Sequence, residues 1–393
     1  MSGRDAPCRI AMVAACPFPY ARGTPIRIQR MAEALVARGH RVDVYTYHYG
    51  APTDQASFRI IRIPGIAGYR RGAPGPSIVK LGVLDPQLAW MLLQGVRRQR
   101  YDVIHAHHVE GLLAAQPAAR ISHTPIVYDV HTLLGSELPY YRRLLPRSLL
   151  GLLGRRIDRS LPRLADHVIA VSDTIRSTFI EQGQHQEDRI SLIPNGVENE
   201  LFASPAGREA RGGDRLVYAG NLAAYQGFDL LLHAFARARS KRRDVRLQVI
   251  TDDPLNGHEA LAKTLGVRDA IDLSSARLCD LGDRLAAVDV AINPRVDCAG
   301  LPQKLLNYMA AGCPIVTFEG SAKHIVHEQT GLVVADNDID GMASAMLRLL
   351  SDRSLAARLG QSAQNYARTE LSWSRVAERV EQVYEKVIGA RRT

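Results

Sequence analysis

Several histidines and acids stand where they could do chemistry. His105-Ala106-His107-His108 and Tyr128-Asp129-Val130-His131 each close a short apolar run. An imidazole can exchange protons or hydrogen bonds near neutral pH, and a nearby carboxylate can orient it. In an extended strand, residues two apart share a face, so His105 pairs with His107 and Asp129 with His131, while His108 points away. Three ligands therefore do not converge on a metal ion from the histidine run, and packing or a ligand contact suits it better. Asp129 either orients His131 or caps the following loop. Asp252-Asp253 is read as a plain loop pair. Arg295 and Lys304 flank a Gly300-Leu301-Pro302 turn and are candidates for an anion. Gly23-Thr24-Pro25 precedes a helix, where free N–H groups and the helix dipole favour phosphate, although glycine there is also ordinary turn chemistry.

The elements that must position these residues alternate from end to end. Short apolar runs read as strands at Arg9–Ala15, Arg41–Thr46, Val103–Ala106, Ile126–Asp129, His167–Val171 and Ile190–Ile193. Ile26–Ala37 reads as an amphipathic helix stopped by Gly39, and Pro194-Asn195-Gly196 as a turn. Residues 203–214 are polar and poor in large apolar groups, the composition of a linker. A second series follows: strands at Leu216–Ala219, Arg246–Ile250, Val288–Ile292 and Ile315–Phe318, with helices at Phe228–Ala238 and Gln303–Ala311. Repeated βα units make parallel sheets, so the expected fold is α/β with two Rossmann-like domains facing each other across a cleft. The division expected is 1–200 and 201–372, with the amphipathic 373–393 crossing back to the first domain.

Length and composition agree with this organisation. At 393 residues, 46% hydrophobic and 23% charged, the chain has material for two cores. No apolar run is long enough to span a membrane, and the first, Arg9–Cys16, starts too early to follow a secretory leader. Five unpatterned cysteines argue for reduced thiols, so the expectation is a cytoplasmic protein without a zinc site. The net charge of +10 suits an anionic partner or is simply a solvated surface. With 6% aromatics and no RNA- or DNA-binding signature, no nucleic-acid partner is expected. Tyr140–Leu164 carries seven arginines against one acid, Asp158, interleaved with leucines. It reads either as a core helix with a solvated face or as a basic helix lying peripherally on an anionic membrane.

Motifs in order along nearly the whole chain resemble family 4 of the retaining glycosyltransferases. They are Gly23-Thr24, Leu35 to Val42 with Gly39-His40, His105-Ala106-His107, Tyr128-Asp129-Val130-His131, Ile193-Pro194-Asn195-Gly196-Val197, Tyr218-Ala219-Gly220-Asn221-Leu222, and Leu305 to Val316. The resemblance implies the GT-B fold and transfer of a sugar from a nucleoside diphosphate donor with retention, with neither metal nor cofactor. The first domain would bind the acceptor and the second the nucleotide sugar. It places His131, supported by Asp129, near the transferred sugar. It places Gly23, Thr24, Asn195, Asn221, Gln226, Arg295, Lys304, Leu306 and Asn307 on the donor side. The acceptor would be a glycan, a lipid-linked saccharide or a small molecule.

The chain departs from the family at charged positions. Family members carry an arginine and a lysine where this chain has Asn221 and Gln226, and glutamates where it has Ala299 and Asn307. An amide still hydrogen-bonds, but without charge assistance. Lys304, shared with one branch of the family, is the expected replacement contact to the diphosphate. The losses also fit a catalytically silent GT-B protein that binds a nucleotide or a partner, and less well an epimerase.

Overall fold

The computed structural model describes residues 7–20, 23–51, 56–66, 68–69, 77–141, 146–181, 187–197, 214–275, 278–298 and 302–391. The expected linker over 203–213, Ala299 and the Gly300-Leu301 part of the turn lie outside them. The chain forms two compact units, one of residues 1–195 with 373–393 and one of 196–372. Both are α/β with all-parallel sheets.

The first unit holds β1 (Arg9–Ala14), α1 (Gly23–Ala37), β2 (Arg41–Thr46), β3 (Arg59–Arg62), α2 (Asp85–Arg98), β4 (Val103–His107), α3 (His108–Ser122), β5 (Ile126–Val130), α4 (Leu134–Tyr141), α5 (Arg147–Ser160), β6 (His167–Ala170), α6 (Asp173–Glu181) and β7 (Ile190–Leu192). Sheet order is β3-β2-β1-β4-β5-β6-β7. β1 explains how the two faces are filled. Its side chains alternate, Ile10, Met12 and Ala14 joining one apolar cluster and Ala11 and Val13 the other, all fully buried. The chain order reverses between β1 and β4, so their carboxyl ends diverge and leave room for a ligand there. Helix α1 starts at Gly23, earlier than its apolar periodicity indicates, and brings that glycine into the helix N-terminus.

The basic stretch is split between α4 and α5. Its single acid, Asp158, is buried and accepts from the N–H groups of Leu134 (3.0 Å) and Gly135 (2.8 Å), so it caps the start of α4. A Cβ at Gly154 would lie 2.6 Å from Gly135 N, so this glycine permits the two helices to touch.

The second unit contains β8 (Arg215–Ala219), α7 (Phe228–Lys241), β9 (Arg246–Ile250), α8 (Asn256–Thr264), β10 (Ile271–Ser274), α9 (Leu278–Ala286), β11 (Val290–Asn293), α10 (Gln303–Ala310), β12 (Ile315–Phe318), β13 (Leu332–Val334), α11 (Ile339–Ser351) and α12 (Arg353–Glu370). Its order, β10-β9-β8-β11-β12-β13, repeats the reversal beside the unit's first strand. Finally α13 (Trp373–Ala390) returns to the first unit. It buries Val376, Ala377, Val380, Val383, Tyr384, Val387 and Ile388, a helical stripe that packs in one cluster with Ile28, Met31 and Leu35 of α1.

Candidate functional site

In the first unit the site begins with a residue that breaks the apolar pattern of its helix. The buried stripe of α1 runs Arg27, Ile28, Met31, Ala32, Leu35. Arg27, 1% exposed, donates from Nε to Asp129 Oδ2 (2.9 Å) and from Nη2 to Asp129 Oδ1 (3.3 Å). Its remaining donors reach the carbonyls of Ile193 (3.0 Å) and Pro194 (2.9 Å) and the Asn195 side-chain oxygen (3.1 Å). All five N–H donors of the guanidinium are therefore used. One side chain ties α1 to the end of β5 and to the turn after β7. Burial alone would raise the Asp129 carboxyl, but Arg27 and the surrounding imidazoles hold it well below the usual carboxylate range.

Around this pair stand four histidines. His105 and His107 share a face of β4, their rings stacked with centroids 4.4 Å apart. His107 Nδ1 lies 3.3 Å from His131 Nε2, which is 3.9 Å from Asp129 Oδ1. His108 differs from expectation. The strand ends at His107, and His108 takes a left-handed backbone (φ 61°) that swings its ring to 4.5 Å from that of His131. Such a conformation is uncommon outside glycine and collects at functional sites. Its Nε2 meets Thr24 Oγ1 at 2.8 Å, bringing the α1 N-terminus to the same group. Burial depresses His131 and His107 well below the ordinary histidine value, the pull of Asp129 notwithstanding, so both are neutral at pH 7. His105, His107 and Asp129 offer ligand-type atoms within 4.8 Å of one another. Arg27 already supplies the cation there, bonded to both carboxylate oxygens, and would repel a second. Gly23, exposed with φ 39°, opens α1 with free space around it.

The second unit gathers a different set at the end of β8 and the start of α10. Lys304, almost fully buried, donates to Gln226 Oε1 (2.9 Å) and lies 4.0 Å from the centroid of the Tyr218 ring. Arg295 stacks on Tyr225 at 4.9 Å, and the Tyr225 hydroxyl accepts from Asn221 at 3.4 Å. Burial, then the charge of Arg295, lowers Lys304 to about 7. Two glycines permit this packing. A Cβ on Gly220 would stand 3.3 Å from Lys304 Nζ, and one on Gly227 would stand 2.2 Å from the Pro294 carbonyl oxygen. Asn307 is half-buried on α10. The Leu306 side chain, with 0% exposure, fills the core.

The structure thus joins Thr24, Asp129, His131 and Asn195 in one group and Asn221, Gln226, Arg295 and Lys304 in another. Asn195, expected on the donor side, is spent on Arg27. Sequence reasoning missed Arg27, whose signal was a cation on the apolar stripe of an amphipathic helix; it weighed His107 and His108 but turned His108 away from the group.

Residues 21–201 match the family model described as Glycosyltransferase Family 4, and residues 213–352 the model described as Glycosyl transferases group 1. The chain belongs to this glycosyltransferase family. It is 28% identical to the MMP alpha-(1->4)-mannosyltransferase of Mycolicibacterium hassiacum, over 97% of this chain and 98% of the relative. It is 25% identical to the D-inositol 3-phosphate glycosyltransferase of Pseudarthrobacter chlorophenolicus, over 91% and 88% respectively. Among solved structures, sucrose-phosphate synthase from Thermosynechococcus elongatus superposes with a TM-score of 0.78 at 19% identity, over 98% of this chain and 100% of that one. The fold is GT-B, and the protein is a glycosyltransferase that uses a nucleotide sugar.

Removing one member of a buried ion pair costs roughly 3–5 kcal/mol, because the other charge is left uncompensated. Both tryptophans, Trp90 and Trp373, lie in the first unit, so their fluorescence follows its unfolding. Asp129, depressed in the native state, adds stability above the unfolded carboxylate value of about 4, lost only as pH falls through the lower native value. In Arg27→Met the sign reverses, since burial then raises the carboxyl. We expect urea denaturation to show the variant destabilised by several kcal/mol at neutral pH, with the gap narrowing towards pH ~4. A variant within about 0.5 kcal/mol of the parent at neutral pH would contradict this role.

Proposed function

We propose that this glycosyltransferase moves a sugar from a nucleoside diphosphate to an acceptor hydroxyl with retention and without metal or cofactor. The acceptor hydroxyl belongs to a glycan, a lipid-linked saccharide or a small molecule. The observation that carries the donor reading is Lys304 Nζ at 2.9 Å from Gln226 Oε1. The family's cation at position 226 is gone, and a lysine from α10 puts its ammonium beside that same side chain. Lys304 and Arg295 meet the diphosphate and stabilise the charge that grows as the bond from the anomeric carbon to phosphate oxygen breaks. The acceptor oxygen bonds to that carbon as its proton passes to the departing diphosphate oxygen, which keeps the electron pair of the broken bond. The second unit is the nucleotide-sugar domain.

In the first unit, with the returning helix, the neutral His131 hydrogen-bonds the transferred sugar, and Asp129, both oxygens held by Arg27, orients the histidines. Gly23 and Thr24 offer the N–H groups of the α1 N-terminus to an anion. Retention and metal independence rest on the resemblance to the family.

The acceptor side also meets a membrane surface in this reading. Helix α5 exposes Leu149, Leu152 and Leu153 beside exposed Arg155, Arg156 and Arg159. No helix among the described residues is long and apolar enough to cross a membrane. Sedimentation with anionic vesicles should carry the protein down, and Leu152→Glu/Leu153→Glu should leave it in solution. Equal partition of both onto anionic and neutral vesicles would remove the membrane from the account.

Calorimetric titration with UDP, GDP, ADP and dTDP tests the donor site. Lys304, at about 7, is mostly neutral above that pH and must take up a proton to hold a diphosphate. Affinity for the preferred nucleotide should therefore weaken as pH rises above 7, by up to about tenfold per unit, with net proton uptake. Lys304→Arg, charged throughout, should flatten the profile, and Lys304→Met should abolish binding. Unaltered affinity in Lys304→Met would refute the contact.

A further inference from the structure

The returning helix does more than cover the sheet. Tyr384, on the buried stripe of α13, points its hydroxyl to within 2.6 Å of His105 Nδ1, and both side chains are buried to 1% exposure or less. The two rings meet edge-on at an interplanar angle of 87°. The other nitrogen, His105 Nε2, has no hydrogen-bond partner among the described residues and lies 3.5 Å from Asp129 Oδ2. A neutral imidazole carries one proton, and the partner of one nitrogen decides which nitrogen holds it.

If Nδ1 carried the proton, the lone pair of Nε2 would face a buried, ionised carboxylate. If the Tyr384 hydroxyl donates to Nδ1, the proton sits on Nε2 and is aimed at Asp129. The second arrangement removes the repulsion and uses the phenol as a donor, the role open to it at its raised pKa, which burial drives. Oδ2 then faces the Nε of Arg27 and the Nε2–H of His105, while Oδ1 is the oxygen nearer His131.

From this geometry we infer that Tyr384 is a positioning residue. By donating to Nδ1 it satisfies the Nε2–H tautomer of His105 that Asp129 favours, which steadies Asp129 and through it His131, so the last helix of the chain helps set the catalytic group. The link to turnover rests on the role proposed above for His131; the link to the tautomer does not.

Two readouts test it. In protein labelled with 15N-histidine, the side-chain nitrogen shifts should show His105 protonated on Nε2. In Tyr384→Phe, which keeps the ring, Nε2 should keep the proton because Asp129 still faces it, while the Nδ1 shift should move to that of an acceptor without a donor. Nucleoside diphosphate release from UDP-glucose, GDP-mannose and ADP-glucose should fall roughly tenfold in kcat with little change in KM, the scale of one hydrogen bond. In a His105→Gln background, Tyr384→Phe should cost nothing further. His105 protonated on Nδ1 in the parent protein would overturn the proposal whether or not the variant folds. So would an unchanged Nδ1 shift in Tyr384→Phe, or a kcat within about twofold of the parent while His131→Ala is inactive. Full turnover in His131→Ala would instead fault the site reading and leave the tautomer result to decide the role of Tyr384.

Discussion

A guanidinium has five N–H donors in one rigid plane, and in this protein all five of Arg27 are used inside the fold. The consequences spread from there. Asp129 can be both buried and ionised because a matched cation faces both its oxygens. The turn after β7 is held because its carbonyls have no other route to a charged donor of that strength. The histidines at the ends of β4 and β5 then sit around a fixed negative charge. A buried ion pair is a weak source of net stability, so its use here is geometric: it holds the first helix, the fifth strand and the exit of the unit in one arrangement.

The second unit solves a related problem with different residues. The problem is a buried cation, and Lys304 meets it by resting on the Tyr218 ring and the Gln226 amide, with burial lowering its proton affinity to about 7. Arg295, half-buried, stacks on Tyr225. The loss of familiar charged residues at 221 and 226 therefore does not empty the region of cations. This is the physical ground for treating the substitutions as a relocation of charge within a working transferase.

Much of the fold was legible in the sequence because central parallel strands are continuous apolar runs. β1, β2, β4, β5, β8 and β9 stand out for this reason. The edge strands β3, β10 and β13 did not. They are three or four residues long and half-exposed, and Arg59–Arg62 is charged at both ends, so their apolar runs are too short to stand out. At the site, Asp129, His131 and Lys304 could be picked out by type and place. Arg27 could not be assigned a partner, because Asp129 lies 102 residues away and only the closed sheet joins them. His108 was misdirected by strand alternation, which fails at the residue where the strand ends. Leu306 was taken for a ligand contact although its neighbours on α10 are core residues.

The central claim is that donor binding and sugar chemistry reside in two separate residue groups. It is tested most directly by measuring nucleotide affinity and sugar-nucleotide turnover together in His131→Ala and Lys304→Met. The account predicts that His131→Ala binds the nucleoside diphosphate as the parent does but turns over at least about a hundredfold more slowly. Lys304→Met should lose the nucleotide itself. Parental turnover in His131→Ala, or parental affinity in Lys304→Met, would contradict it.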